Sequence, residues 1–323
     1  MGVDADHWNS NILFTDKAEF DIDAYLTTAA RDAGYNLKEK LEQWRELGVV
    51  VLENSVDVGL IEALLADVEY LSEHRSQFDL EVEHKGVRHR LGDLTESPLT
   101  DTGVKFNCLE NISLAARQLS LTPSVCDFLG HVFQDAPVVI QSLTFWRGSE
   151  QPAHLDYPWV RVQTKLPHLA ASWIPLEDIH PDAGPLAYYP GSHRHGLIPP
   201  FDWGNGSLVQ EADSTRTPAD FVAYLREEID KLNLSKAVFL PKRGDVLIWH
   251  GNVLHEGTPV KDRSRTRRSY VTHYTSLGAY PSDYHFPDAL AAGRYTGSDR
   301  GYVFDHPWVK DDGGLPSWER LPR

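Results

Sequence analysis

Gln151–Trp159 reads QPAHLDYPW, and within it His154 and Asp156 stand one residue apart in a segment patterned as a β-strand. Strand side chains alternate between faces, so His154 and Asp156 point one way and Leu155 the other. An imidazole nitrogen and a carboxylate oxygen side by side on a rigid strand supply two parts of a 2-His-1-carboxylate facial triad. That arrangement holds non-haem Fe(II) and leaves coordination positions open. Spacing alone is weak evidence, because with 15 His in the chain about one H-x-D arises by chance. A second is present, His180 and Asp182 in HPD, but Pro181 between them disfavours a continuous strand. A third ligand belongs on a later strand running beside the first. Pro241–Pro259 reads PKRGDVLIWHGNVLHEGTP, a turn at Gly244 and Asp245, a strand over Val246–Trp249, and then His250 and His255.

Composition narrows the class. The chain has 323 residues, 41% hydrophobic and 24% charged, the balance of a water-soluble globular protein that can bury a sizeable core. A net charge of −16 excludes nucleic acid as an expected partner, since phosphate neutralisation needs clustered Lys and Arg. Cys108 and Cys126 are the only cysteines, which excludes a disulfide framework and fits a reducing cytoplasm. The opening MGVDADHWNS has no basic segment followed by an apolar run, so no secretory signal is expected. No apolar run approaches the roughly 20 residues of a membrane span.

The local patterns predict mainly β structure with flanking helices. Residues 1–35 read as an irregular arm. Asn36 and Glu39 resemble a capping box ahead of Leu37, Leu41 and Trp44, and Gly48 ends that helix. Val49–Leu52 reads as a buried strand. Asp57 caps a second helix with Ile61, Leu64, Leu65, Val68 and Leu71 on one face. Residues 76–110, with EHKGVRHRLG, read as a solvated hairpin or as a loop at the mouth of a site that touches a polar substrate. Residues 111–130 read as helical, broken by Pro123. Strand-like runs then recur at Val138–Trp146, His154–Val162, Leu169–Leu176, Pro185–Tyr189, Ala237–Leu240, Asp245–Trp249 and Ser269–Thr275, the pattern of a sandwich or jelly roll. One helix interrupts them, capped by Thr217 with Pro218 at its first position. Residues 276–323 read as an ordered tail held down by Tyr280, Tyr284, Phe286, Tyr295, Tyr302, Phe304 and Trp308. No linker composition appears, so one domain over 1–323 is expected: a helical part to about residue 135, a jelly-roll core over about 136–275, and the tail.

Four segments, in order, resemble the phytanoyl-CoA dioxygenase-like family of Fe(II)/2-oxoglutarate oxygenases. They are ELGVVVLENSVDVGLIEALL, HLDYPW, WIPLEDIHPDAGPLAYYPGSHRHG and GDVLIWHGNVLHEGTP, together spanning about residues 45–275. The resemblance implies a double-stranded β-helix, the cupin-like jelly roll, and a soluble small-molecule hydroxylase using Fe(II), 2-oxoglutarate and O2. It implies His154, Asp156 and His255 as iron ligands and leaves His250, His193 and His195 to packing or turn structure. It also implies an Arg on the strand after the distal His to take the far carboxylate of 2-oxoglutarate, a task suited to a planar guanidinium. Thr266 stands at the family's usual spacing; counting back from Tyr274, the aromatic that ends the strand, selects Arg267, with Arg268 facing away. Arg267, Ser269, Val271 and His273 would share one face. Trp173, Gln141 and Thr164 are further cosubstrate contacts by resemblance, whereas Gly257 stands where relatives often have Ser. Asp156 itself, where a small residue would open a halide position, implies hydroxylation over halogenation. Two other classes share such a fold: a cupin-like metal-dependent isomerase or hydrolase, and a non-catalytic metal-binding protein. Neither needs Arg267.

Overall fold

The computed structural model describes residues 4–29, 34–84, 86–160, 162, 164–280, 295–298, 300–306 and 314–322. The first segment is more regular than the sequence predicts. Helices α1 (Ala5–Ser10) and α2 (Ile22–Leu26) form there, capped by Asp4 and Asp21, whose carboxylates accept the N–H groups of His7 and Ala24. Both are too short to display a helical period, which is why the arm read as irregular. Helix α3 (Leu37–Leu47) begins at Asn36, whose side chain accepts the Glu39 N–H, and buries Leu37, Leu41 and Trp44. Gly48 ends it at φ 70°; a Cβ there would also collide with His193 and Val253. Strand β1 (Val49–Leu52) and helix α4 (Val58–Glu73), capped by Asp57, follow as predicted.

The charged stretch is a hairpin, β2 (Glu81–His84) and β3 (Val87–Arg90), followed by β4 (Val104–Asn107). Helices α5 (Leu114–Ser120) and α6 (Pro123–Phe133) are separated where Pro123 opens the second. The strands β5 (Pro137–Phe145), β6 (Ala170–Pro175) and β7 (Leu186–Tyr188) precede helix α7 (Pro218–Lys231), where Thr217 and Asp220 form a reciprocal capping box. Then come β8 (Ala237–Val238), β9 (Val246–His250), β10 (His255–Gly257), β11 (Ser269–Ser276), β12 (Tyr295–Ser298), β13 (Gly301–Phe304) and α8 (Ser317–Arg320).

Two sheets face each other. The large one has the order β1-β9-β6-β11-β5-β4-β2-β3, with β13 also on β5 and β12 on β13; the small one is β10-β7-β8. All pairings are antiparallel except β13 with β5. Alternation along the strands sorts the core. Val246, Ile248, Tyr270 and Tyr274 pack outward with the helices, while Trp173, Leu247, Trp249 and Val271 pack inward between the sheets. No helix among the described residues is long and apolar enough to cross a membrane.

Two predicted strands are shorter than expected. Among its described residues, His154–Val162 forms only a bridge, His154 with His255. Beyond it the chain turns: the N–H groups of Trp159 and Val160 donate to the Asp156 carbonyl, and Pro158 has no N–H to offer a ladder. Ala237–Leu240 pairs only at Ala237 and Val238. In the tail, Tyr280 and Phe304 are buried and Tyr302 is half-buried; Tyr284, Phe286, Trp308 and the Tyr295 side chain lie outside the described residues.

Candidate metal centre

The bridge between residues 154 and 255 brings two sequence-distant histidines together. The His154 N–H donates to the His255 carbonyl at 2.9 Å and the His255 N–H returns to the His154 carbonyl at 3.1 Å. Asp156 is placed by its N–H on the Gly251 carbonyl at 3.3 Å, while Leu155 and Tyr157 sink into a separate core with Trp8, Phe201 and Trp203. One ligand atom from each of His154, Asp156 and His255 lies within 4.8 Å of the others. Asp156 Oδ1 is 3.9 Å from His154 Nε2 and 3.5 Å from His255 Nε2.

The surroundings set the donor atoms. His154 Nδ1 lies 2.9 Å from the Pro152 carbonyl and His255 Nδ1 2.9 Å from the Val253 carbonyl. Carbonyls only accept, so both Nδ1 atoms carry the proton and both Nε2 lone pairs face Asp156. The Trp249 indole donates to Asp156 Oδ2 at 2.8 Å, leaving Oδ1 free to ligate. Burial, then neighbouring His255, lowers the His154 pKa to about 3, with Lys105 acting in the same direction. Burial pushes the Asp156 carboxyl up, but His255, His273 and His154 outweigh it and hold it well below the usual carboxylate range. A neutral imidazole and an ionised carboxylate are the ligating forms, so this donor set fits a divalent first-row cation.

A cavity of about 490 Å³ opens beside the triad. Arg267 lines it, 2% exposed, with its guanidinium 5.3 Å from the Phe145 ring centroid and 5.5 Å from that of Trp173. Its Nε has no hydrogen-bond partner, and it makes no ion pair among the described residues. Burial lowers its pKa to about 10, so it stays charged at neutral pH. Arg268 is turned away as predicted; its Nε and Nη2 donate to Glu177 at 2.9 and 2.7 Å. A buried, charged, unpaired guanidinium lining a cavity calls for an anion.

The other predicted contacts divide. Trp173 and Gln141 line the cavity. Thr164 does not: it is exposed and its hydroxyl donates to the Gly278 carbonyl at 3.2 Å. His180 and Asp182 sit in a loop away from the cavity, with Nδ1 and Oδ2 3.9 Å apart. His250 faces outward, its Nε2 3.0 Å from Asp16 Oδ2, and His193 packs against it at 5.3 Å between centroids. His195 bonds Asn9. Sequence reasoning did not single out His273 as a site residue, although its phase with Arg267 placed it on the same face. It is 3% exposed, lines the cavity, and holds Nε2 3.7 Å from Asp156 Oδ1. Lys105, Glu83 and Asn107 also line the cavity, with no local signal beyond the charge of their stretch.

Comparison with known proteins agrees with this architecture. A Danio rerio phytanoyl-CoA dioxygenase domain-containing protein 1 is 27% identical over 141 residues, 42% of this chain and 44% of that protein. The Mus musculus protein of that name is 24% identical over 199 residues, 58% and 62% respectively. The matches thus span about half the length of these relatives. Among solved structures, the 2-oxoglutarate-dependent carbocyclase SnoK from nogalamycin biosynthesis superposes with TM-score 0.57 at 18% identity, covering 85% of this chain and 99% of SnoK. EctD from S. alaskensis, solved with 2-oxoglutarate and 5-hydroxyectoine, gives 0.57 at 15% identity, covering 87% and 91%. At such identities the likeness is one of fold, the double-stranded β-helix. Residues 44–269 match the phytanoyl-CoA dioxygenase (PhyH) family along most of the chain, and with the two facing sheets in place the chain belongs to that family.

Proposed function

We propose that this protein is an Fe(II)- and 2-oxoglutarate-dependent oxygenase that hydroxylates a small metabolite. A substrate C–H, O2 and 2-oxoglutarate would become C–OH, succinate and CO2. His154, Asp156 and His255 would hold the iron, and Arg267 the far carboxylate of 2-oxoglutarate. O2 would be the oxidant, bound iron would activate it, 2-oxoglutarate would supply two of the electrons, and the chain supplies position and shielding. The Pro152 and Val253 carbonyls keep both Nε2 atoms aimed at the metal position. Trp249 holds Oδ2 so that Asp156 presents Oδ1. Phe145 and Trp173 exclude water from the guanidinium, which strengthens its pairing with a carboxylate. The two buried cysteines, Cys108 and Cys126, fit a cytoplasmic setting.

The single observation that carries this reading is the unpaired, charged Arg267 lining the same cavity as a His-Asp-His cluster. An isomerase, a hydrolase or a passive metal site that binds no carboxylate has no use for that guanidinium. The test is O2-dependent succinate release by the Fe(II)-loaded protein, with product mass distinguishing hydroxylation from ring formation or epimerisation. Protein that binds Fe(II) and yet neither binds 2-oxoglutarate nor forms succinate would refute it.

A further inference from the structure

The cavity has a second polar wall on which the iron and 2-oxoglutarate assignments leave Glu83, Lys105 and Asn107 unused. Strands β4 and β2 extend the large sheet past β5, and their register sets Glu83 opposite Lys105 and Lys105 opposite Phe145. Glu83 and Lys105 form a 2.8 Å ion pair, their side chains only 21% and 18% exposed. Two residues along β4, on the same face, Asn107 stands opposite Leu143. Asn107 is 7% exposed, lines the cavity, and its side-chain amide has no hydrogen-bond partner among the described residues; the half-buried Gln141 amide is likewise free. Trp159, Val160 and Pro218 also line the cavity and add apolar surface.

Such a wall is costly unless something uses it. Desolvated ion pairs gain little over apolar residues of equal size, and buried amides without partners are unfavourable. Against an aliphatic chain the Asn107 amide would stay without a partner and the Glu83–Lys105 pair would gain none beyond itself. A net anion would meet Lys105 but also Glu83; a net cation would meet the reverse. A neutral molecule carrying both charges satisfies the pair. The 490 Å³ must also accommodate 2-oxoglutarate, and what remains suits a small metabolite.

Resting on the oxygenase reading, we propose that Glu83, Lys105 and Asn107 receive the head group of a small zwitterionic substrate of the α-amino-acid class. Glu83 takes the ammonium, Lys105 and the Asn107 amide take the carboxylate, and the rest of the molecule extends over Val160 and Leu143.

The test uses full-length protein loaded with Fe(II) and 2-oxoglutarate. The probes are free L- and D-α-amino acids, the same compounds N-acetylated or carboxyl-amidated, straight-chain fatty acids, and acyl-CoA thioesters. Succinate release above the substrate-free rate is read together with product mass. At least one free amino acid is expected to stimulate release. Blocking either charge should lower its kcat/KM by roughly 10–100-fold, the loss of one charged hydrogen bond. Lys105→Met and Glu83→Gln should raise KM by a similar factor. The double replacement Glu83→Met/Lys105→Met removes the pair without leaving a lone buried charge; it should keep the wild-type Tm and lose the stimulation. Equal stimulation by blocked and free forms, stimulation only by fatty acids or thioesters, or stimulation by no compound would each overturn the proposal. Arg267-dependent 2-oxoglutarate binding with substrate-free succinate release, persisting in those cases, would show that the oxygenase reading stands without it.

Discussion

Replacing Arg267 with Met separates a side chain held for a ligand from one held for the fold. Burial depresses the guanidinium pKa to about 10, which at about 1.36 kcal/mol per pH unit makes its charged form cost on the order of 3 kcal/mol. The faces of Phe145 and Trp173, each within 6 Å of the guanidinium, return about 0.5–2 kcal/mol apiece. Glu177 acts on it only at a distance, and no carboxylate among the described residues pairs with it directly. Met fills a similar volume without charge, so Arg267→Met is expected to leave the ligand-free protein as stable as wild type or about 1–2 kcal/mol more stable. Ligand binding should move the opposite way. A bidentate carboxylate contact comprises two charge-assisted hydrogen bonds of roughly 1.5–3 kcal/mol each. Its loss should weaken 2-oxoglutarate binding by a factor on the order of 10²–10⁴. Lys at this position should recover only part, having a point charge in place of the planar fork. Calorimetric titration of 2-oxoglutarate into the anaerobic Fe(II) protein, with urea unfolding of the ligand-free variants, measures both. A variant several kcal/mol less stable that binds 2-oxoglutarate as tightly as wild type would make Arg267 structural and defeat the argument.

Trp249→Phe removes the donor to Asp156 Oδ2 and keeps the ring; metal affinity should fall about 10–100-fold by competitive chelation, with the fold intact, and unchanged affinity would mean that Asp156 needs no such support. Asp67 is fully buried and accepts from Ser113 Oγ and from Ser317 N–H and Oγ, joining α4, α5 and α8; Asp67→Ala should cost about 2–4 kcal/mol in chemical unfolding, and a loss below about 0.5 kcal/mol would refute that role. His168, buried beside Phe133 with Nδ1 3.0 Å from Ser276 Oγ, has its pKa lowered to about 4, chiefly by burial. The unfolded chain therefore takes up a proton there below about pH 6.5 while the fold does not, so the His168 contribution is whole above that pH and declines as pH falls toward 4. Relative to His168→Asn, wild type should lose up to about 1.4 kcal/mol of stability per pH unit across that window; parallel stability-pH curves would show that the imidazole is not held neutral.

What could be read locally was read correctly where cause and effect lie within one turn of chain. Asn36, Asp57 and Thr217 cap their helices because a side-chain oxygen needs only the N–H two or three residues on. The exception at His154–Val162 follows from the same rule in reverse: a strand needs a partner along its length, and among the described residues β10 meets it at one residue.

The chain itself determined the caps and the inward phase of Arg267 relative to His273, since these depend on spacing and order, and its resemblance to a family pointed to His154, Asp156 and His255 as the candidate ligands. Only the folded structure decided that Glu177 neutralises Arg268 and leaves Arg267 bare, that Thr164 falls outside the cavity, and that Glu83 and Lys105 stand across a cavity wall from the centre. Charge pairing and desolvation depend on which distant strands become neighbours, and that information is carried by sheet register, not by adjacency along the backbone.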